Sequence, residues 1–311
     1  MSGRSTHGLN DREVNDLISV TNVTKTFDGL TALDNINMHA PAGAVYGLVG
    51  SNGAGKTTLI RHLAGVYRQD AGLVRIDGLD VYENSAIKMR TGVIPDEIYF
   101  YPQSSTRDMA KFLSRIYPRF DWERYQALSS AFPIDEKRTI RRLSKGMQKQ
   151  SAFWLTISCR FDVLLLDEPV DGLDPVMRRT VWKLLLDDVA ENGTTIIVSS
   201  HNLRELEDVC DHVGIMHNGR VILERSLSEL QGGVYKLNAA FDGDLPDSIA
   251  GLSELHRTRT GKLYTIIVRG DSSDAQELLT EYSPLFIDVL PLTLEEIFIY
   301  EMGGENYGDI L

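Results

Sequence analysis

Cysteine is nearly absent: Cys159 and Cys210 are the two in 311 residues. Two thiols so far apart form neither a disulfide framework nor a zinc-ligand spacing. Each lies in a helix-like segment and is expected to be buried, reduced and without chemistry of its own. A long apolar run is also missing. The longest, Val163-Leu164-Leu165-Leu166, stops at Asp167-Glu168, far short of the ~20 residues that span a bilayer. Any membrane role therefore has to come through a partner. Nor is there an excess of positive charge: 32 Lys and Arg face 44 Asp and Glu, a formal net charge of −12. Binding a phosphate backbone needs clustered Lys and Arg, so no nucleic-acid partner is expected. Residues 1–17 lack the apolar core of a secretory leader and read as a mobile tail. Internal repeats and low-complexity tracts are missing as well.

What is present is ordinary for a soluble globular protein, 42% hydrophobic and 24% charged, in a chain long enough for two domains. Residues 18–38 alternate β-branched side chains, and 44–50 form a short apolar run ending in glycine. Leu59, Ile60, Leu63 and Ala64 then recur at helical spacing, and residues 73–76 read as a strand closed by Asp77-Gly78. Residues 104–142 are helical in pattern, opened by a capping box at Ser105 and Asp108. Residues 163–166 and 194–199 are unbroken apolar or β-branched runs, as expected of strands buried on both faces of a parallel sheet, with a helix over 175–191 between them. That is a βαβ order. After a break at Gln231-Gly232-Gly233, strands are expected over 234–240, 252–258, 263–269 and 286–290, with helices over 274–282 and after a Thr293–Glu296 cap. This second region is a small α+β domain.

Chemistry is concentrated in a few short stretches. Gly50-Ser51-Asn52-Gly53-Ala54-Gly55-Lys56-Thr57, with Thr58 next, matches G-x-x-x-x-G-K-[ST] and lies between an expected strand and an expected helix, the context that a phosphate-binding loop requires. Its glycines let backbone N–H groups turn around phosphate oxygens at a helix N-terminus. Lys56 suits the β- and γ-phosphates and Thr57 suits Mg²⁺. A second site follows residues 163–166, where Asp167 suits Mg²⁺ and Glu168 suits polarisation of an attacking water. Gly172-Leu173-Asp174-Pro175 comes next, and Ser199-Ser200-His201 places an imidazole at the C-terminal end of the following strand, where ligands bind in open α/β sheets.

In their order across residues 18–230, these motifs resemble the ATP-binding cassette (ABC) ATPases. The resemblance implies an α/β P-loop NTPase core. It would consist of a parallel sheet with an antiparallel β subdomain and a helical subdomain over about 97–160, followed by an accessory α+β domain over 234–311. It implies ATP and Mg²⁺ as ligands, Phe27 as the aromatic that stacks adenine, Asp174 in the loop after the catalytic carboxylate, and His201 as the histidine that contacts the γ-phosphate. Leu143-Ser144-Lys145-Gly146-Met147 stands where the family has its LSGGQ signature, whose Ser144 and Gly146 reach ATP held by a second cassette. Lys145 and Met147 depart from that pattern, and Asp96 stands where the family's Q-loop has glutamine as a metal or water contact.

The C-terminal region resembles the extension of bacterial exporter-type members of the YtrB-like group, linked to the cell envelope and antibiotic response. The implied partners are a second ABC ATPase subunit, identical or different, and a membrane permease. The permease would hold the chain to the inner face of the cell membrane through the surface at Tyr99-Phe100-Tyr101-Pro102. Two other functions fit the motifs less well. A soluble ABC ATPase acting on ribosomes or DNA would carry paired cassettes with a basic linker or long coiled coils. A regulatory cassette with one degenerate site is opposed by Lys56, Asp167, Glu168 and His201.

Overall fold

The computed structural model describes residues 16–301 apart from 232 and 247; the remainder of the expected tail, 1–15, lies outside the described residues. The chain opens with β1 (Asp16–Phe27) and β2 (Leu30–Pro41), then β3 (Val45–Val49) and α1 (Lys56–Leu63). Next come β4 (Ala71–Ile76), β5 (Leu79–Asp80), α2 (Ser85–Lys88) and β6 (Thr91–Ile94). Three helices follow, α3 (Thr106–Ile116), α4 (Trp122–Leu128) and α5 (Lys145–Ser158), before β7 (Val163–Asp167), α6 (Pro175–Asn192) and β8 (Thr195–Ser200). The chain continues through α7 (Leu203–Leu206), β9 (His212–His217), β10 (Arg220–Ser226) and α8 (Leu227–Gln231). It ends with β11 (Val234–Ala240), β12 (Ser253–Thr260), β13 (Leu263–Arg269), α9 (Ser272–Thr280), β14 (Phe286–Pro291) and α10 (Leu294–Glu301).

Two compact units result. One holds the described residues up to His201 together with His212–Glu224; the other holds Asn202–Asp211 and the chain from Arg225 onward. This boundary lies ahead of the break read at Gln231-Gly232-Gly233, because α8 packs on β11 and α7 packs on α10. β1 also starts at Asp16, so the last two residues of the expected tail are strand.

In the first unit β2-β1-β4-β5 form an antiparallel sheet, and β10-β9-β3-β8-β7-β6 form a sheet in which β9, β3, β8, β7 and β6 pair in parallel. β3, β7 and β8 are buried at every position, the state expected of strands covered on both faces. One core joins Val20, Ile36 and Met38 of the antiparallel strands to Leu59, Ile60 and Leu63 of α1 and to Leu165 and Ile197 of the parallel strands. The long helical stretch expected over 104–142 is broken instead. α3 stops at Ile116, just before Tyr117-Pro118, because proline disfavours helical backbone at the residue before it. Ser105 and Asp108 do form the expected capping box. Cys159 caps the end of α5 and Cys210 follows α7; both are buried, and burial pushes the Cys159 thiol up to about 12.

The second unit is the sheet β12-β13-β11-β14, antiparallel in each of its pairings, with a helix on either face. Ile266 and Val268 pack with Ala275 and Leu279 of α9, while Ile267 between them packs with Ile297 of α10. That alternation is the two-residue period of a strand covered on both sides. Thr293 and Glu296 make the expected reciprocal cap. Arg204 to Glu295 and the Leu294 N–H to Glu207 bind α7 to the start of α10. Among the described residues no helix is long and apolar enough to cross a membrane.

The helical region has its own anchor in Trp154, 2% exposed. Its ring stacks on Tyr125 at 4.8 Å and its indole N–H donates to the Tyr125 carbonyl at 2.7 Å. Trp154→Ala should destabilise this unit by about 3–5 kcal/mol, read as a lowered urea midpoint of the full-length chain.

Candidate active site

β3 delivers the chain into the glycine-rich loop, and α1 begins immediately at Lys56. The residue before it, Gly55, has φ 105° and caps the helix without a side-chain hydrogen bond. A Cβ there would stand 2.8 Å from the Ala32 carbonyl oxygen, so glycine is required. No side chain competes for the first N–H groups of α1 and no acidic residue occupies its first turn, which leaves a helix N-terminus suited to an anion. Thr57 and Thr58 lie in that turn, half-buried, and the Thr58 carbonyl accepts from His62 at 2.7 Å. Lys56 is 6% exposed. Its ammonium donates to the carbonyls of Gly50 at 2.5 Å and Ser51 at 3.3 Å, and stands 3.4 Å from Glu168 Oε1.

The second carboxylate pair is built at the end of β7. Asp167 is buried and lies in register with Ser199 of β8. The Ser199 hydroxyl donates to Asp167 Oδ1 at 2.6 Å and accepts the Glu168 N–H at 3.0 Å. Glu168 has φ 45°. Its other carboxylate oxygen is 3.0 Å from Nδ1 of His201, which follows directly after β8. Lys56, Glu168 and His201 therefore meet, although the sequence separates them widely. Donor atoms of Glu168, Asp171 and His201 lie within 4.8 Å of one another, a grouping that includes Asp171, which the sequence did not single out.

Ser144 caps α5, its hydroxyl accepting the Met147 N–H at 3.3 Å, and its side chain is exposed. Gly146 lies against the loop after β7 of its own chain: a Cβ there would come within 2.9 Å of the Gly172 carbonyl oxygen. Asp174 caps α6 by accepting the N–H groups of Val176 and Met177, both at 3.0 Å. Phe27 ends β1, partly exposed, with Tyr67 edge-on at 5.3 Å and the Lys25 ammonium 5.2 Å from its ring centre. Asp96 is exposed just after β6. Phe27 and Asp96 thus lie outside the hydrogen-bonded cluster around Glu168.

A family model for ABC transporters matches residues 33–171. The ABC transporter ATP-binding protein YtrB of Bacillus subtilis (strain 168) is 31% identical over 290 residues, covering 93% of this chain and 99% of that protein. The chain belongs to the ABC transporter ATP-binding proteins. The bacitracin transport ATP-binding protein BcrA of Bacillus licheniformis is 28% identical over 318 residues, covering 94% and 99%. Among solved structures, a dimeric ATP-binding cassette in a post-hydrolysis state with ADP and Pi aligns with a TM-score of 0.61 at 20% identity. That alignment covers 68% of this chain and 98% of the other and concerns the fold alone.

Within this ABC ATP-binding protein, sequence reasoning missed Ser199, Asp171 and Lys149. Ser199 lies two residues before His201 in the sequence, but only the parallel register of β7 and β8 sets it opposite Asp167. Lys149 follows Gly146 by three residues on α5, a spacing that puts both on one helix face, yet nothing local says what that face meets. Ser199→Ala should cost about 1–3 kcal/mol, since a buried carboxylate and a main-chain N–H lose one shared partner. The measurement is the shift in thermal unfolding of the full-length protein without nucleotide.

Proposed function

We propose that this ABC ATP-binding subunit binds ATP with Mg²⁺ and hydrolyses it in a composite site shared by two cassettes. The observation that carries the reading is the convergence of Lys56 and His201 on the two oxygens of Glu168, at 3.4 Å and 3.0 Å. A phosphate-loop lysine, a carboxylate and an imidazole in mutual contact are suited to a γ-phosphate and a water attacking it. The uncapped start of α1 and the backbone of residues 50–57 would cradle the phosphates. Thr57 and Asp167, with Asp96, would hold Mg²⁺, which when bound neutralises charge on the phosphates. Phe27, half-exposed and braced by Tyr67, would stack the adenine.

Glu168 acts as the base in this reading, and His201 orients it and the terminal phosphate. The exposed Ser144 hydroxyl and the N-terminus of α5 would meet the phosphate bound by a second subunit, while Gly146 and Asp174 shape that surface. The second cassette is a copy of this chain or a related one. Hydrolysis then energises a separate membrane permease, which holds the subunit at the inner face of the cell membrane. An open cleft of about 280 Å³ lined by Ile98, Tyr99, Phe100, Pro102, Arg141 and Gln148 supports that docking, with Tyr99 82% exposed as an apolar anchor. The names of the relatives, bacitracin transport among them, favour an exporter in cell-envelope or antibiotic response.

Lys56→Ala should weaken ATP binding about 10- to 100-fold, the value of a charge-assisted contact to phosphate. Glu168→Gln should keep ATP affinity, lose about 10²- to 10⁴-fold in turnover, and elute as an ATP-dependent dimer on size exclusion. Parent-rate hydrolysis by the Gln variant would remove Glu168 as the base.

Asp96→Ala should slow turnover while leaving nucleotide affinity unchanged, and should raise the Mg²⁺ concentration needed for half-maximal rate. Unchanged turnover and Mg²⁺ dependence would make Asp96 an ordinary loop residue.

A further inference from the structure

Lys149 is a buried cation that the reading above leaves without a task. It lies in α5, 7% exposed, and its ammonium donates to the main-chain carbonyls of Glu168 at 2.8 Å and Asp171 at 3.1 Å. These carbonyls bracket the turn that follows β7, in which the Asp171 N–H also returns to the Glu168 carbonyl at 3.4 Å. Glu168 needs such support. Its φ of 45° is a left-handed conformation that costs a side-chain-bearing residue about 1–3 kcal/mol and persists only where the surroundings over-determine it. The Glu168 residue is held from both ends of its main chain, its N–H by Ser199 and its carbonyl by Lys149. Gly146 allows the approach, because any side chain there would strike the Gly172 carbonyl. A buried ammonium is costly unless it is bonded and compensated. Burial lowers the pKa of Lys149, and the carboxylates of Asp96, Asp171, Glu168 and Asp167 oppose that shift.

We propose that Lys149 is a positioning residue for hydrolysis: through the Glu168 and Asp171 carbonyls it fixes the turn that aims the Glu168 carboxylate, and it fastens the signature helix of its own subunit to that turn. The proposal rests on the reading of Glu168 as the base. The consequence is that Ser144, at the N-terminus of α5, and Glu168, at the end of β7, are mechanically joined within one chain, so a shift of α5 is felt at the base.

The test uses the full-length parent, Lys149→Met, Glu168→Gln and the double variant, with ATP affinity from a fluorescent analogue and single-turnover phosphate release. Lys149→Met should bind ATP within about twofold of the parent but hydrolyse it roughly tenfold or more slowly. Added to Glu168→Gln, the same change should slow the residual rate by less than about twofold, since the group it positions is gone. Lys149→Arg, which keeps donors for both carbonyls, should restore roughly a third or more of the parent rate. If the Met variant does not fold, Lys149→Gln takes its place under the same criteria. Three results would overturn the proposal. One is a Lys149→Met or Lys149→Gln rate within about twofold of the parent, and another is a loss in Lys149→Arg as deep as in Lys149→Met. The third is a double variant slowed, relative to Glu168→Gln, by the full factor seen for Lys149→Met alone. Parent-rate hydrolysis by Glu168→Gln would instead overturn the base assignment beneath it.

Discussion

The in-register parallel pairing of β3, β8 and β7 is the constraint on which the rest of this site depends. Val49 pairs with Ser200 and Asp167 pairs with Ser199, so the glycine-rich loop, the carboxylates and the histidine all leave the sheet at one edge. All three strands are buried along their length. A slip of one residue would exchange the side chains packed on the two covered faces of the sheet and separate Ser199 from Asp167, which makes the register costly to change. The same pairing turns three distant sequence motifs into neighbours without long side chains having to search for one another.

Electrostatics then act within that frame. The chain as a whole is acidic, with a net charge of −12, yet two of its buried side chains are the lysines of this region, Lys56 and Lys149. Each is bonded to main-chain carbonyls as well as placed near carboxylates. Carbonyl bonding matters because an ion pair alone seldom repays the desolvation of both partners. It also leaves carboxylate oxygens available for other work. Asp167 accepts the Ser199 hydroxyl on one oxygen, and Glu168 shares its two oxygens between Lys56 and His201.

How much of this was legible in the sequence follows from distance along the chain. The glycine-rich loop between β3 and α1, the strand β7 running into Asp167-Glu168, the Ser105 and Thr293 capping boxes and the helix from Pro175 are local patterns, and the structure has them. One helical stretch over 104–142 overruns the structure, because apolar spacing continues past Pro118 while α3 ends before it and a separate helix starts at Trp122. The unit boundary was read from the glycines at 232 and 233, whereas packing of α7 on α10 and of α8 on β11 sets it earlier. Ser199 and Lys149 escaped notice for one reason. Each gains its meaning from a main-chain group or carboxylate in another strand or loop, and a side chain in a buried strand or helix interior gives no local sign of that.

The stretch Leu143-Ser144-Lys145-Gly146-Met147 follows the same logic of contact. Position 146 must be glycine because the Gly172 carbonyl would lie 2.9 Å from any Cβ, and position 144 must carry a short acceptor because its hydroxyl caps α5 at Met147. Lys145 is exposed in the first turn of α5, so a long side chain there meets no steric limit. Position 147 contributes its main-chain N–H to the cap, a role that methionine fills as well as glutamine. Asp96 is exposed just after β6, and its negative charge favours the charged form of Lys149. A carboxylate there adds attraction to a buried cation, so position 96 lies where the surroundings accept a negative charge.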